Sequence, residues 1–199
     1  GDSAAGTLNL TAAEVAFLPS LGNGTLMIGE TGQSGALDIN DVSFASNAQV
    51  FGGAATIEAI SSGSKSLTLE VSSVTDDNAA ATNVTAGSFT VNASVGGVDL
   101  DTSVDGMTVT AKGDISIDEF DSIALGNITT TGTGDNDDIV INANGISIGG
   151  GISSTNGDSE SITLNAGTGA IDYASFDVTS DHSNVLTAGI IDLTASTGI

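Results

Sequence analysis

The acidic residues are where this chain could do chemistry. It has 25 Asp and Glu, two lysines (Lys65 and Lys112) and no arginine. Four of the acids are set apart by their spacing. Asp135 precedes Asp158 by 23 positions, and Asp137 precedes Glu160 by the same interval. If the chain repeats at that period, each pair falls on adjacent repeats. Neighbouring strands lie about 4.8 Å apart. Two carboxylates about 5 Å apart repel by about 0.8 kcal/mol in water and roughly 3 kcal/mol at an effective dielectric of 20. Calcium would reverse that sign, because it takes clustered carboxylate and carbonyl oxygens as ligands. Asp135, Asp137, Asp158 and Glu160 are therefore the candidate metal ligands, with calcium as the ion. The competing reading has these turn side chains splayed into water, where salt screens them. Asp99, Asp101 and Asp105 form a similar cluster, as do Asp118, Glu119 and Asp121.

Other chemistry finds little support. Gly132-Thr-Gly-Asp-Asn-Asp-Asp-Ile-Val140 partly matches a calcium-binding nonapeptide, but it is a single degenerate copy. His182 is the only histidine, and its neighbours Asp181 and Ser183 are adjacent in sequence rather than convergent. It reads as an exposed loop residue. A glycoside hydrolase needs two acids about 5–9 Å apart, a condition that so acidic a chain meets trivially. With no Trp and one Tyr, Tyr173, platforms for stacking sugars are scarce. No catalytic residue is assigned, and the chain is not expected to be an enzyme. Cysteine is absent, which removes disulfides, thiol catalysis and zinc–thiolate sites. Asn9, Asn23, Asn83, Asn92 and Asn127 each begin a glycosylation sequon, as chance alone produces in a chain rich in Asn and Thr.

The elements that would position the acids are read from a two-row alignment. Residues 123–145 and 146–168 form two rows of equal length. Ile123 falls over Ile146, Ile139 over Ile162, Asn142 over Asn165 and Ala143 over Ala166. Self-similarity at such a period means one supersecondary unit stacked on a copy of itself. Within each row apolar residues alternate, which is strand spacing with one face inward. Ile139, Ile141, Ile146, Ile148, Ile162, Leu164 and Ile171 should face inward, with Asn142 over Asn165 as a short asparagine ladder. The same period-two pattern runs through Leu67–Val71, Phe89–Ala93, Met107–Ala111 and Ile191–Ala195. Alanines end these strands at positions 93, 111, 143, 166 and 195, and their unequal gaps imply coils of variable length. Ala13–Leu18 should make a short helical turn stopped by Pro19.

Composition agrees. Hydrophobic residues are 39% and aromatics 4%, so the core must be aliphatic and thin. The 27 glycines beside one proline serve turns. The net charge of −23 argues against nucleic acid and anionic membranes as partners, and no apolar run is long enough for a membrane helix. The fold expected is all-β: a parallel β-helix (β-solenoid) with irregular coils of about 20–30 residues, forming one elongated domain over 1–199.

The runs Asp138–Ile148 and Ser161–Asp172, with Asn127–Gly134, resemble filamentous-haemagglutinin-type β-helical repeats. Leu10–Val15, Thr25–Gly29 and Gly35–Phe44 resemble a segment repeated within very large bacterial surface proteins of that kind. The resemblance implies a right-handed helix, export to the cell surface or beyond, and a structural or adhesive role. It carries no functional residues across. Asn-Pro-Asn-Leu, a secretion-domain motif, is absent, and the acidity is high for the family. The alternatives are a polysaccharide-acting enzyme on the same fold and a calcium-stabilised binding module. The expected partners are neighbouring copies, or a continuation of the same solenoid end to end, and a cell-surface or glycan receptor. The chain is expected to be a segment of a longer protein or a filament subunit, because Leu8-x-Leu10 and Ile191-x-Leu193 read as core strands.

Overall fold

The computed structural model describes residues 7–132, 137–154, 160–173, 186–187 and 190–197. The chain is a parallel β-solenoid, nearly all strand. Each coil presents up to three strand segments on three faces, and in one coil they run on as a single strand, Val98–Ala111. Among the described residues the pairing between coils is parallel throughout, so equivalent residues form columns.

On the first face one column runs Leu8, Leu37, Ala55, Val74, Val98, Ile115, Ile139, Ile162, Ile191. On the third face another runs Leu26, Ala48, Leu67, Phe89, Met107, Leu125, Ile148. The two-row alignment is borne out, since Ile139 pairs with Ile162 and Ile123 with Ile146. Ile139, Ile141, Ile146, Ile148, Ile162, Leu164 and Ile171 are all buried in the one core. Aliphatic side chains suit this arrangement, because β-branched residues pack well on a pleated surface and no bulky ring has to fit a narrow interior.

Coil length varies. Along the first-face column the step is shortest from Val98 to Ile115 and longest from Leu8 to Leu37 and from Ile162 to Ile191. The extra residues sit at corners, so the columns do not lose register. One exception lies within a strand. Met107 pairs with Leu125 but Val109 pairs with Ile128, which is a bulge at Gly126. One coil on, Gly150 lies against that bulge, and a Cβ there would overlap the Gly126 carbonyl carbon.

The strand-end alanines need correcting. Ala93 pairs with Ala111 on the third face. Ala143 and Ala166 end first-face strands instead, where they donate to Asn165 O and Thr194 O. The long interval from Ala111 to Ala143 therefore joins two faces and is not a coil.

Near the N-terminus the helical turn forms over Ala12–Val15. Glu14 reaches back to accept from the Thr11 N–H at 3.1 Å, and Pro19 follows. Val15 is buried and Phe17 exposed. The turn packs on Val42–Ser43, where other coils place a second-face strand.

Two substitutions test the columns. Ile162→Asp should lower unfolding free energy by about 4 kcal/mol or more, because it buries a charge with no partner. Gly150→Ala should destabilise by about 1–3 kcal/mol, since the obstructing atoms are backbone. Urea denaturation curves of both variants measure these losses.

Candidate functional site

Three places outside the apolar columns gather chemistry. The first is the corner where the third face gives way to the first. Asp137 lies two residues before Ile139, and Glu160 two before Ile162, so the pairing of those isoleucines puts the two carboxylates in adjacent coils at one register. They do not splay into water. Each is only 2% exposed. Beside them Thr130 and Ser154 are also buried. The Thr130 hydroxyl lies 3.2 Å from that of Ser154, and both donate to the Asp137 main-chain carbonyl, at 3.3 and 2.7 Å. Oδ2 of Asp137 is buried without a hydrogen-bond partner. Burial pushes the Asp137 carboxyl above the usual range, helped by the charges of Asp114, Glu160 and Asp138. Asp135, Asp158 and His182, and most of the nonapeptide match, lie outside the described residues. Among the described residues no three His, Cys, Asp or Glu side chains are grouped so as to hold a metal.

The second place is the corner between the first and second faces. There an inward column runs Val42, Ile60, Val84, Thr102, Glu119. Three apolar residues give way to a hydroxyl and then a carboxylate. Glu119 was expected in a surface acidic cluster, but it is buried. Its Oε2 accepts from the Thr102 hydroxyl at 2.7 Å, and its carboxylate from the Val104 N–H at 3.2 Å. Burial raises its pKa to about 7, against the pull of those hydrogen bonds. Outside this column Asp101 stacks on Asp118. The Asp101 carboxyl is also raised, by burial first and then by Asp118, Asp76 and Asp99. Asp105 is exposed.

Asn142 does stack on Asn165, but the two do not form the expected amide ladder. Asn142 Nδ2 donates instead to Asp118 Oδ1 at 2.6 Å, and Asn165 Oδ1 accepts from Gly167 N. Several sequon asparagines are likewise structural. Asn83 is buried, donating to Ile57 O and Asp76 Oδ1 and accepting from Asp101 N. Asn127 Oδ1 accepts from Gly151 N, one coil on. Sequence reading expected an amide bridge between coils at Asn142 and Asn165 and missed those made by Asn83 and Asn127.

The third place is an open groove of about 600 Å³ on the third face. Its floor is built from outward residues of adjacent coils: Met27 over Gln49, and Phe51 over Glu70 over Asn92. Asn92 Nδ2 donates to Glu70 Oε1 at 2.9 Å. The turn through Thr31–Gln33 forms one wall. It is led in by Gly29, at φ 84, where a Cβ would press on the Phe51 carbonyl at 2.6 Å; only glycine suits both conditions. The groove contains one carboxylate, Glu70, and amides and hydroxyls besides.

No protein-family model, curated protein or solved structure matches this chain.

Glu119 generates a pH prediction. A carboxyl raised from 4.5 to about 7 in the folded state binds its proton more tightly there than when unfolded. Its contribution is full below pH 4.5 and is lost as pH rises through 7, by up to about 3 kcal/mol. Asp101 and Asp137 act in the same direction. Unfolding free energy measured from pH 4.5 to 8 should fall, and Glu119→Gln should flatten the profile by Glu119's share. A variant with an unchanged slope would show that Glu119 titrates normally.

Proposed function

We propose that the chain is a structural and adhesive β-solenoid acting outside the cell, as a stalk, filament or surface-layer segment of a secreted adhesin-like protein. The observation that carries this reading is the continuity of the columns: one first-face column links Leu8 to Ile191 through every coil. Such a stack is a rod by construction, since each coil contacts only its neighbours. The resemblance to filamentous-haemagglutinin-type repeats points the same way. Among the described residues, Leu8–Thr11, Thr25–Ile28 and Ile190–Thr194 pair on one side only. Their outer edges suit a further coil, from the same chain or another copy, because open strand edges recruit strands. Acidic flanks oppose sideways association.

The groove supports the adhesive half of the reading. A carboxylate and an amide held 2.9 Å apart, with Gln33 and Gln49 nearby, present donors and acceptors in the pattern a neutral glycan's hydroxyls require. Binding is favoured over hydrolysis there, because hydrolysis uses two carboxylates and the groove's described lining has one.

Electron microscopy of the purified protein, with antibody labelling of intact cells that make it, tests the role. Rods one solenoid wide and label on unpermeabilised cells are expected. Compact particles at every concentration, or label only after permeabilisation, would overturn it. For the groove, neutral oligosaccharides that bind the native chain should bind Asn92→Ala at least tenfold more weakly.

A further inference from the structure

We infer that the corner holding Asp137 and Glu160 is a divalent-cation site, built for calcium and set within the wall of the solenoid. The inference is independent of the role proposed above.

The register places the two residues one coil apart, their main chains about 4.8 Å from each other by strand spacing. Both are buried. The nearby hydroxyls of Thr130 and Ser154 donate to the Asp137 main-chain carbonyl rather than to its Oδ2. The further charges acting on Asp137, those of Asp114 and Asp138, are also negative. Lys112 does not turn its ammonium inward; its side chain is exposed and its main-chain carbonyl faces the corner.

Two observations besides the acidity point to a ligand. First, Asp137 Oδ2 is buried and accepts no hydrogen bond. A buried carboxylate oxygen in that state is costly unless something positive meets it. Second, Gly132 lets oxygens gather beside its Cα. A Cβ there would overlap Lys112 O, Asp137 Oδ1 and Asp137 Oδ2 together, so a main-chain carbonyl and both carboxylate oxygens come close to one another, with Glu160 in the adjacent coil.

The donor set is oxygen throughout: carboxylate, main-chain carbonyl and hydroxyl. That selects a hard cation, and the irregular arrangement suits calcium's flexible coordination better than magnesium's strict octahedron. Two carboxylates give a modest charge count. The affinity should be that of extracellular modules, a Kd on the order of 10⁻⁴ to 10⁻³ M. The bound ion would tie adjacent coils together at a corner, where backbone pairing is interrupted.

Thermal melting and calorimetric titration of the purified chain test the site, with calcium, magnesium or chelator at matched ionic strength. Calcium at about ten times its Kd should raise Tm by about 3 °C over chelator, and magnesium by less. Asp137→Asn keeps the shape and removes the charge. It should lose the calcium shift and melt higher than the native chain in chelator. Glu160→Gln is read in the same way, so that failure of one variant to fold does not stop the test. Asp105→Asn, at an exposed acid, should keep the full shift. An equal calcium shift in the native chain and Asp137→Asn would overturn the site and leave only general screening of an acidic surface. No calcium shift in the native chain, with a pH profile flattened by Asp137→Asn, would overturn it in favour of a proton held between the carboxylates.

Discussion

Parallel hydrogen bonding between successive coils is the constraint on which the rest depends. It sets each residue over its equivalent in the next coil, about 4.8 Å away. Whatever one coil puts at a position, the next must tolerate. For aliphatic residues this is favourable at every step. Ile115, Ile139 and Ile162 follow one another in a column with nothing polar between them. A core so built can be narrow, which is why six Phe, one Tyr and no Trp suffice for 199 residues.

The same geometry makes acids difficult, and the chain carries a net −23. Three local solutions recur. An amide can stand in an adjacent coil, as Asn142 does beneath Asp118, Asn92 beside Glu70 and Asn9 beside Asp38. A main-chain N–H from the next coil can serve, as when Asp114 Oδ1 accepts from Asp138 N and Asp138 Oδ1 from Ser161 N. Where a carboxyl turns inward it can keep its proton, which is the state favoured for Glu119 below pH 7. Neutral partners and protons thus take the place of basic residues, since two lysines cannot serve 25 acids.

Much of this was legible in the sequence, and the part that was not has a specific cause. Alternation and the two-row alignment were enough to put Ile139 on Ile162, because a period-two strand has only two possible faces. The inward acids were missed because acidity was read as turn chemistry. Parity held the signal. Asp137 shares the phase of Ile139 and Ile141, Glu160 that of Ile162 and Leu164, and Glu119 that of Ile115 and Ile117. A residue two positions from a buried isoleucine in a continuing strand points inward whatever its charge. The alanine gaps misled for a different reason: small residues end strands on more than one face, so spacing alone does not say which face is being counted.

Coils as unequal as the step from Val98 to Ile115 and the step from Leu8 to Leu37 would ruin most repeats. Here they do not, because every added residue is placed at a corner or bulge and the columns never see it. This divides the chain's positions by kind. Inward positions carry stability and admit little change, since a neighbour in each direction depends on them. Corners and outward positions are free to vary in length and type. The groove illustrates the result. Its floor is the outward side of ordinary strands, and its wall is the turn of a long coil leaning over Phe51. The acidic corner illustrates it too, for Asp137 and Glu160 stand where corner meets column. Specific chemistry on this fold therefore arises at the boundary between the two kinds of position, where a variable turn can aim side chains at a register that the core holds fixed.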